Sequence, residues 1–170
     1  MSDVSIKRLK DFESIFKGLT DRELKLVSDI MKRKDVNAGA IIINEGETGN
    51  ELFLLEEGVV DVNKTLTIVT SKNEFGTKER SFIRLSGENH CAFGEMALFG
   101  NGERSATVKA VTKCKLYVLE SNDFIDLCRE YPQIGYTVVT NIALILAEHL
   151  RKTNDDVIKL TTALSLALSG

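Results

Sequence analysis

One stretch of this chain carries residue types that could do chemistry together: Phe93-Gly94-Glu95-Met96-Ala97-Leu98-Phe99-Gly100-Asn101-Gly102-Glu103-Arg104-Ser105-Ala106-Thr107-Val108. Gly94 permits a tight backbone approach. Glu95 to Leu98 can form one short helical turn, whose free N–H groups and dipole favour an anion. Gly100 and Gly102 allow unusual backbone angles. Arg104 supplies a planar, always-charged fork suited to phosphate oxygens. Ser105 and Ala106 are small enough for a ligand to lie against the main chain. An acid nine residues before an arginine, around a glycine-bearing turn, can cradle a sugar phosphate. The carboxylate would accept from a sugar hydroxyl and the arginine would pair with the phosphate. The same residues also read as a polar loop with Glu95 and Arg104 solvated, and the spacing alone does not separate the two.

Other chemistries find little support. Only two histidines occur, His90 and His149, too few for the converging ligands of a metal-dependent β-roll enzyme. His90 adjoins Cys91, but neighbours on a strand point to opposite faces, and no CxxC or HxxxH pair completes a zinc site. No G-x-S-x-G nucleophile motif is present. Catalysis is not expected.

Composition sets the frame. The chain has 170 residues, long enough for one domain with a real core and helical extensions. It is 43% hydrophobic and 28% charged, the mix of a soluble globular protein, and its net charge of −3 gives no basic surface for nucleic acid. The N-terminus lacks the apolar segment of a signal peptide, and no run approaches the roughly 18 apolar residues of a membrane span. Three irregularly spaced cysteines, Cys91, Cys114 and Cys128, argue against a disulfide framework and fit a cytoplasmic location.

The positioning elements follow from periodicity. Helices are expected over about residues 4–31. Ile6, Leu9, Phe12, Ile15 and Phe16 form one apolar face that Gly18 terminates. Thr20 and Glu23 then form a capping box ahead of Leu24, Val27, Ile30 and Met31. From Val36 the pattern changes to short apolar runs separated by glycines at 39, 46, 49 and 58, which indicates an all-β sandwich or barrel over about 36–120. Residues 71–80 read as an exposed hairpin tip, and the longer segment 64–85 as an extended hairpin or, alternatively, a partner surface. Ser121 caps a helix carrying Phe124, Ile125, Leu127 and Cys128. Pro132 suits the first turn of a long final helix with Ile134, Val138, Ile142, Ile145, Leu146, His149 and Leu150. The expectation is a single domain, residues 1–170, with C-terminal helices over 121–168.

The stretch 93–108 resembles the phosphate-binding cassette of the cyclic nucleotide-binding domain family. That family's cassette begins Phe-Gly-Glu and closes with Arg, small residues and Val. Gly39-Ala40-Ile41-Ile42-Ile43-Asn44-Glu45-Gly46-Glu47-Thr48-Gly49-Asn50-Glu51-Leu52-Phe53 is similar to the family's opening strands, as is Gly58-Val59-Val60-Asp61-Val62. Cys114-Lys115-Leu116 and Phe124 resemble its last strand and the helix behind it. The resemblance spans residues 19–150. It implies a mainly β fold with flanking helices: an antiparallel double-stranded β-helix, or jelly-roll-like β-roll, with N-terminal helices and a long C-terminal helix.

It further implies that Glu95 accepts the ribose 2′-OH and that Arg104 pairs with the cyclic phosphate. Main-chain donors around Phe93, Gly94, Ser105 and Ala106 would complete the cassette, with the Ser105 hydroxyl. Relatives preferring cGMP often carry Thr after the cassette arginine. Ser105 there, as in the cAMP-preferring catabolite activator, implies cAMP, with cGMP the alternative. Aligning the long helices places Thr153 and Asn154 near adenine-contacting positions, although both also read as solvent-facing. Asn50 stands where many relatives have Asp, and is expected to affect a turn only. The implied protein is a sensor or regulatory module that needs no cofactor besides its cyclic nucleotide ligand. It would act through the C-terminal helix, as a homodimer, on a protein effector. Ile142, Ile145 and His149, widened by Leu146 and Leu150, approximate one coiled-coil-like stripe, which can meet a partner or pack on the chain's own β-roll. Too few residues follow that helix for a helix-turn-helix, so direct DNA binding is not expected. A degenerate domain serving as an interaction scaffold is the remaining alternative.

Overall fold

The computed structural model describes residues 4–69, 75–99 and 102–168. Two antiparallel four-stranded sheets face each other. The elements, in order, are α1 (Ile6–Asp11), α2 (Glu13–Phe16), α3 (Asp21–Asp29), β1 (Lys32–Val36), β2 (Ile41–Ile43), β3 (Glu51–Glu57), β4 (Val59–Val69), β5 (Phe75–Ser86), β6 (Ala92–Phe93), β7 (Thr107–Ala110), β8 (Cys114–Glu120), α4 (Ser121–Glu130) and α5 (Pro132–Leu168), with short 3₁₀ turns at Gly87–Asn89 and Glu95–Phe99. One sheet has the order β1-β8-β3-β6 and the other β2-β7-β4-β5. This is the β-roll with flanking helices that the sequence implied.

The run Leu52-Phe53-Leu54-Leu55 has no polar alternation because β3 is buried on both faces. Successive side chains on a strand point to opposite sides. Leu52 and Leu54, with Tyr117 and Leu119 of β8, therefore meet the helices. Phe53 and Leu55, with Leu116 and Val118, face the roll interior beside Val60, Val108 and Phe93. Two cores result, one under the helices and one between the sheets.

Several local expectations are corrected. The first helical face is broken at Phe12 into α1 and α2, since Phe12 leaves the helical region to bury its ring against His90. The capping box at Thr20 forms as expected, with the Thr20 N–H donating to Glu23 at 2.7 Å. Lys32–Val36, which lacks an apolar period, is a strand because it pairs along β8 from Lys32↔Val118 to Val36↔Cys114. The long hairpin pairs from Val59↔Ser86 to Val69↔Phe75, with one register shift between Val62 and Asn63, so the strand occupies much of the expected tip; residues 70–74 lie outside the described residues. Ser121 is the first residue of α4 rather than its cap; its hydroxyl donates to the Leu98 carbonyl at 3.4 Å. Pro132 opens α5 as expected. Among the described residues, no helix is long and apolar enough to cross a membrane.

On α5, Ile134, Val138 and Ile142 are buried in the chain's own helical core, with Ile145 packed against it. Ile142, Ile145 and Leu146 thus pack on the chain itself, the second of the two arrangements open to that stripe. His149 is exposed. From Glu148 to Leu168 every residue of α5 is exposed.

Candidate functional site

The far end of the 93–108 stretch is tied to the loop between β2 and β3. The Arg104 N–H donates to the Glu47 carbonyl at 2.8 Å and the Gly46 N–H to the Arg104 carbonyl at 2.9 Å. Thr48 and Glu103 form an antiparallel bridge. The Glu45 N–H donates to the Thr107 hydroxyl at 3.0 Å. These bonds carry residues 49–51 to the arginine, from more than fifty positions away.

Arg104 is buried, 9% exposed. Its Nη2 donates to Glu51 Oε2 at 2.8 Å and its Nη1 to the Glu51 carbonyl at 3.0 Å. The guanidinium lies against two glycines. A Cβ on Gly49 would sit 2.3 Å from Nε, and one on Gly94 would sit 2.8 Å from Nη1. Gly94 also holds φ +79, a left-handed conformation that glycine adopts without steric cost. Beneath the guanidinium, Cζ stands 5.9 Å from the Phe53 ring centre, within cation–π range. Phe53 stacks on Phe93 at 5.3 Å with the rings 15° apart. A fixed cation therefore rests on a paired aromatic floor.

Glu95 opens the 3₁₀ turn directly after Gly94 and is half-buried. It makes no hydrogen bond or ion pair with another described residue, which leaves its carboxylate able to accept. The backbone N–H groups of Ser105 and Ala106 likewise donate to no described carbonyl. Ser105 is exposed and Ala106 half-buried. Phe93 is 5% exposed, so its ring supports the cassette from below rather than presenting itself to a ligand. Gly100 and Asn101 lie outside the described residues. Thr153 and Asn154 are exposed on the distal part of α5, and the Thr153 hydroxyl turns back to the His149 carbonyl at 2.9 Å. Within one chain they are not buried with the cassette.

Sequence reasoning passed over Gly49 and Glu51 as site residues. Glu51 begins an apolar strand and Gly49 lies in the loop before it, so neither carries a local signal of its nearness to Arg104. The three thiols show no activation. Burial pushes Cys91, Cys114 and Cys128 upward from the ordinary thiol range, with backbone hydrogen bonding opposing it at Cys91 and Cys114.

The order of these parts matches known proteins. Residues 33–131 match the cyclic nucleotide-binding domain. The chain belongs to the cyclic nucleotide-binding domain family. It is 32% identical over 141 residues to the cyclic AMP receptor protein of Thermus thermophilus, covering 82% of this chain and 58% of that protein. The crystal structure of the Thermus thermophilus catabolite activator protein superposes with a TM-score of 0.71 at 30% identity, over 87% of this chain and 63% of that one. The chain is also 31% identical over 116 residues to mouse potassium/sodium hyperpolarization-activated cyclic nucleotide-gated channel 2, covering 68% of this chain and 12% of the channel. The chain thus spans less than two thirds of these relatives, which by name are a cyclic AMP receptor protein, a catabolite activator protein and a cyclic nucleotide-gated channel.

Proposed function

We propose that this cyclic nucleotide-binding domain binds cAMP at the 93–108 cassette and acts as a regulatory module through α5. One observation carries the reading. A buried guanidinium is fixed on an aromatic floor and against Gly94, while the carboxylate of the next residue, Glu95, and the N–H groups of Ser105 and Ala106 have no partner among the described residues. Arg104 takes the cyclic phosphate, Glu95 the ribose 2′-OH, and the N–H groups of Ser105 and Ala106 the phosphate oxygens. Burying a phosphate requires such partners. The choice of cAMP draws on Ser105 after the arginine and on the name of the Thermus relative.

For output, α5 offers an outer apolar row separate from the one packed on its own core. Leu150, Thr153, Val157, Leu160 and Leu164 recur at alternating spacings of three and four, the seam of a two-stranded coiled coil. Leu160 is 71% exposed and Leu164 61%. A homodimer along this row places Thr153 in the seam, where a partner's cassette rather than its own is the candidate for contact. A protein effector and a cytoplasmic site of action complete the proposal.

The pairing of Arg104 with Glu51 favours a second reading, a non-binding interaction scaffold whose arginine is satisfied internally. Thermal melts with cAMP, cGMP and buffer separate the readings. Ligand at about 100 times its dissociation constant stabilises by about 2.7 kcal/mol, a rise of roughly 5–10 °C at this size. A larger rise with cGMP reverses the base preference. No rise with either nucleotide leaves the scaffold. Arg104→Ala is expected to weaken cAMP binding at least tenfold, the loss of one charge-assisted hydrogen bond of about 1.5–3 kcal/mol.

A further inference from the structure

Arg104 already holds an anion of its own chain. Five groups fix its guanidinium: the main-chain carbonyl of Glu51, the backbones of Gly49 and Gly94, the Phe53 ring and the Glu51 carboxylate. Four of these are neutral and none of those four depends on the Glu51 side chain. The carboxylate is therefore not needed to aim the guanidinium. What it adds is charge.

We propose that Glu51 is an internal counter-ion that competes with the ligand phosphate for Arg104 and so sets the affinity of the site below that of the cradle alone. This rests on the reading of the cassette as a cyclic-nucleotide site. A buried guanidinium without a counter-charge is costly, and Glu51 relieves that cost when no ligand is bound. A phosphate brings a second negative charge to the same cation. The Glu51 side chain is 38% exposed, so it can stay beside the phosphate against repulsion or swing into water and give up its 2.8 Å bond. Either way the ligand gains less from Arg104 than from an arginine without a carboxylate partner.

Glu51→Gln tests this. Glutamine keeps the side-chain length and an acceptor oxygen for Nη2 while removing the charge. In calorimetric titrations of the full chain, the Glu51→Gln variant is expected to bind cAMP about two- to fivefold more tightly than wild type, the range of a partly exposed ion pair. Its melting temperature without ligand falls while the ligand-induced rise grows, an opposition that a purely structural role would not produce. Glu51→Ala provides a second charge-free variant and shows the same direction. Unchanged or weaker binding by both variants overturns the proposal and makes Glu51 a positioning residue. If wild type itself binds neither cAMP nor cGMP, the cyclic-nucleotide reading fails first and takes this one with it.

Discussion

Replacing Gly49 by alanine tests the cradle with one carbon atom. The added Cβ would stand 2.3 Å from Arg104 Nε, 2.4 Å from Nη2 and 2.6 Å from Cζ, well inside contact distance. Gly49 does not occupy the left-handed region, so alanine brings no backbone strain of that kind. The group that must yield is the end of a long side chain, which can swing away without disturbing the sheets. Moving it breaks the bonds from Nη2 to the Glu51 carboxylate and from Nη1 to the Glu51 carbonyl. The carboxylate is partly exposed and screened, so the pair contributes at most about 1 kcal/mol, and the charged bond to the carbonyl adds about 1.5 kcal/mol. Stability should therefore fall by about 2 kcal/mol, or roughly 4–8 °C in melting temperature for a chain of this length. Ligand binding should fall further, by about 3 kcal/mol or roughly a hundredfold, because the displaced guanidinium no longer meets the phosphate. Differential scanning calorimetry reads the first effect and titration calorimetry with cAMP the second. Binding within threefold of wild type, at whatever stability, would refute the claim that the guanidinium receives the phosphate in this pose.

Two further outcomes follow from the helices. Val157→Asp together with Leu164→Asp puts charges into the outer row of α5; light scattering is expected to give about twice 18.9 kDa for wild type and a single-chain mass for the double variant. Thr20→Ala removes the capping box of α3 and is expected to cost about 1 kcal/mol, or roughly 2–4 °C. The Thr20 backbone and hydroxyl, both donating to Glu23, hold its carboxyl below the usual range, in that order of weight. A lowered acid contributes stability above its unfolded pKa and loses it as pH falls through the folded value. The gap between wild type and Thr20→Ala in melting temperature should accordingly narrow, without closing, on acidification below the ordinary glutamate range, because only the hydroxyl's bond to the carboxylate titrates while the Glu23 N–H bond to the hydroxyl does not.

Much of the fold was legible because its determinants are local. The capping box is written within four residues, the Pro132 start of α5 in one, and the both-sides-buried β3 in an unbroken apolar run. Three features escaped for one reason: tertiary partners overrode local preference. Lys32–Val36 is a charged segment that is strand only because β8 offers an edge. Phe12 interrupts an apolar helical face because its ring is worth more in the core beside His90. Ile142 and His149 lie on one apolar-looking row of α5, yet one is buried in its own domain and the other exposed.

The amino-acid order alone determined which residues are chemically able to meet a cyclic phosphate. Glu95, Arg104 and the small residues after it are fixed in type and spacing, and they lie within one short segment. Only the tertiary structure decided what surrounds the arginine. Gly49, Glu51 and Phe53 reach it through backbone bonds between the β2–β3 loop and the cassette, across more than fifty positions. Chain connectivity records what a residue can do, whereas the charge that a buried cation meets is set by strand register, and register is a property of the folded sheets.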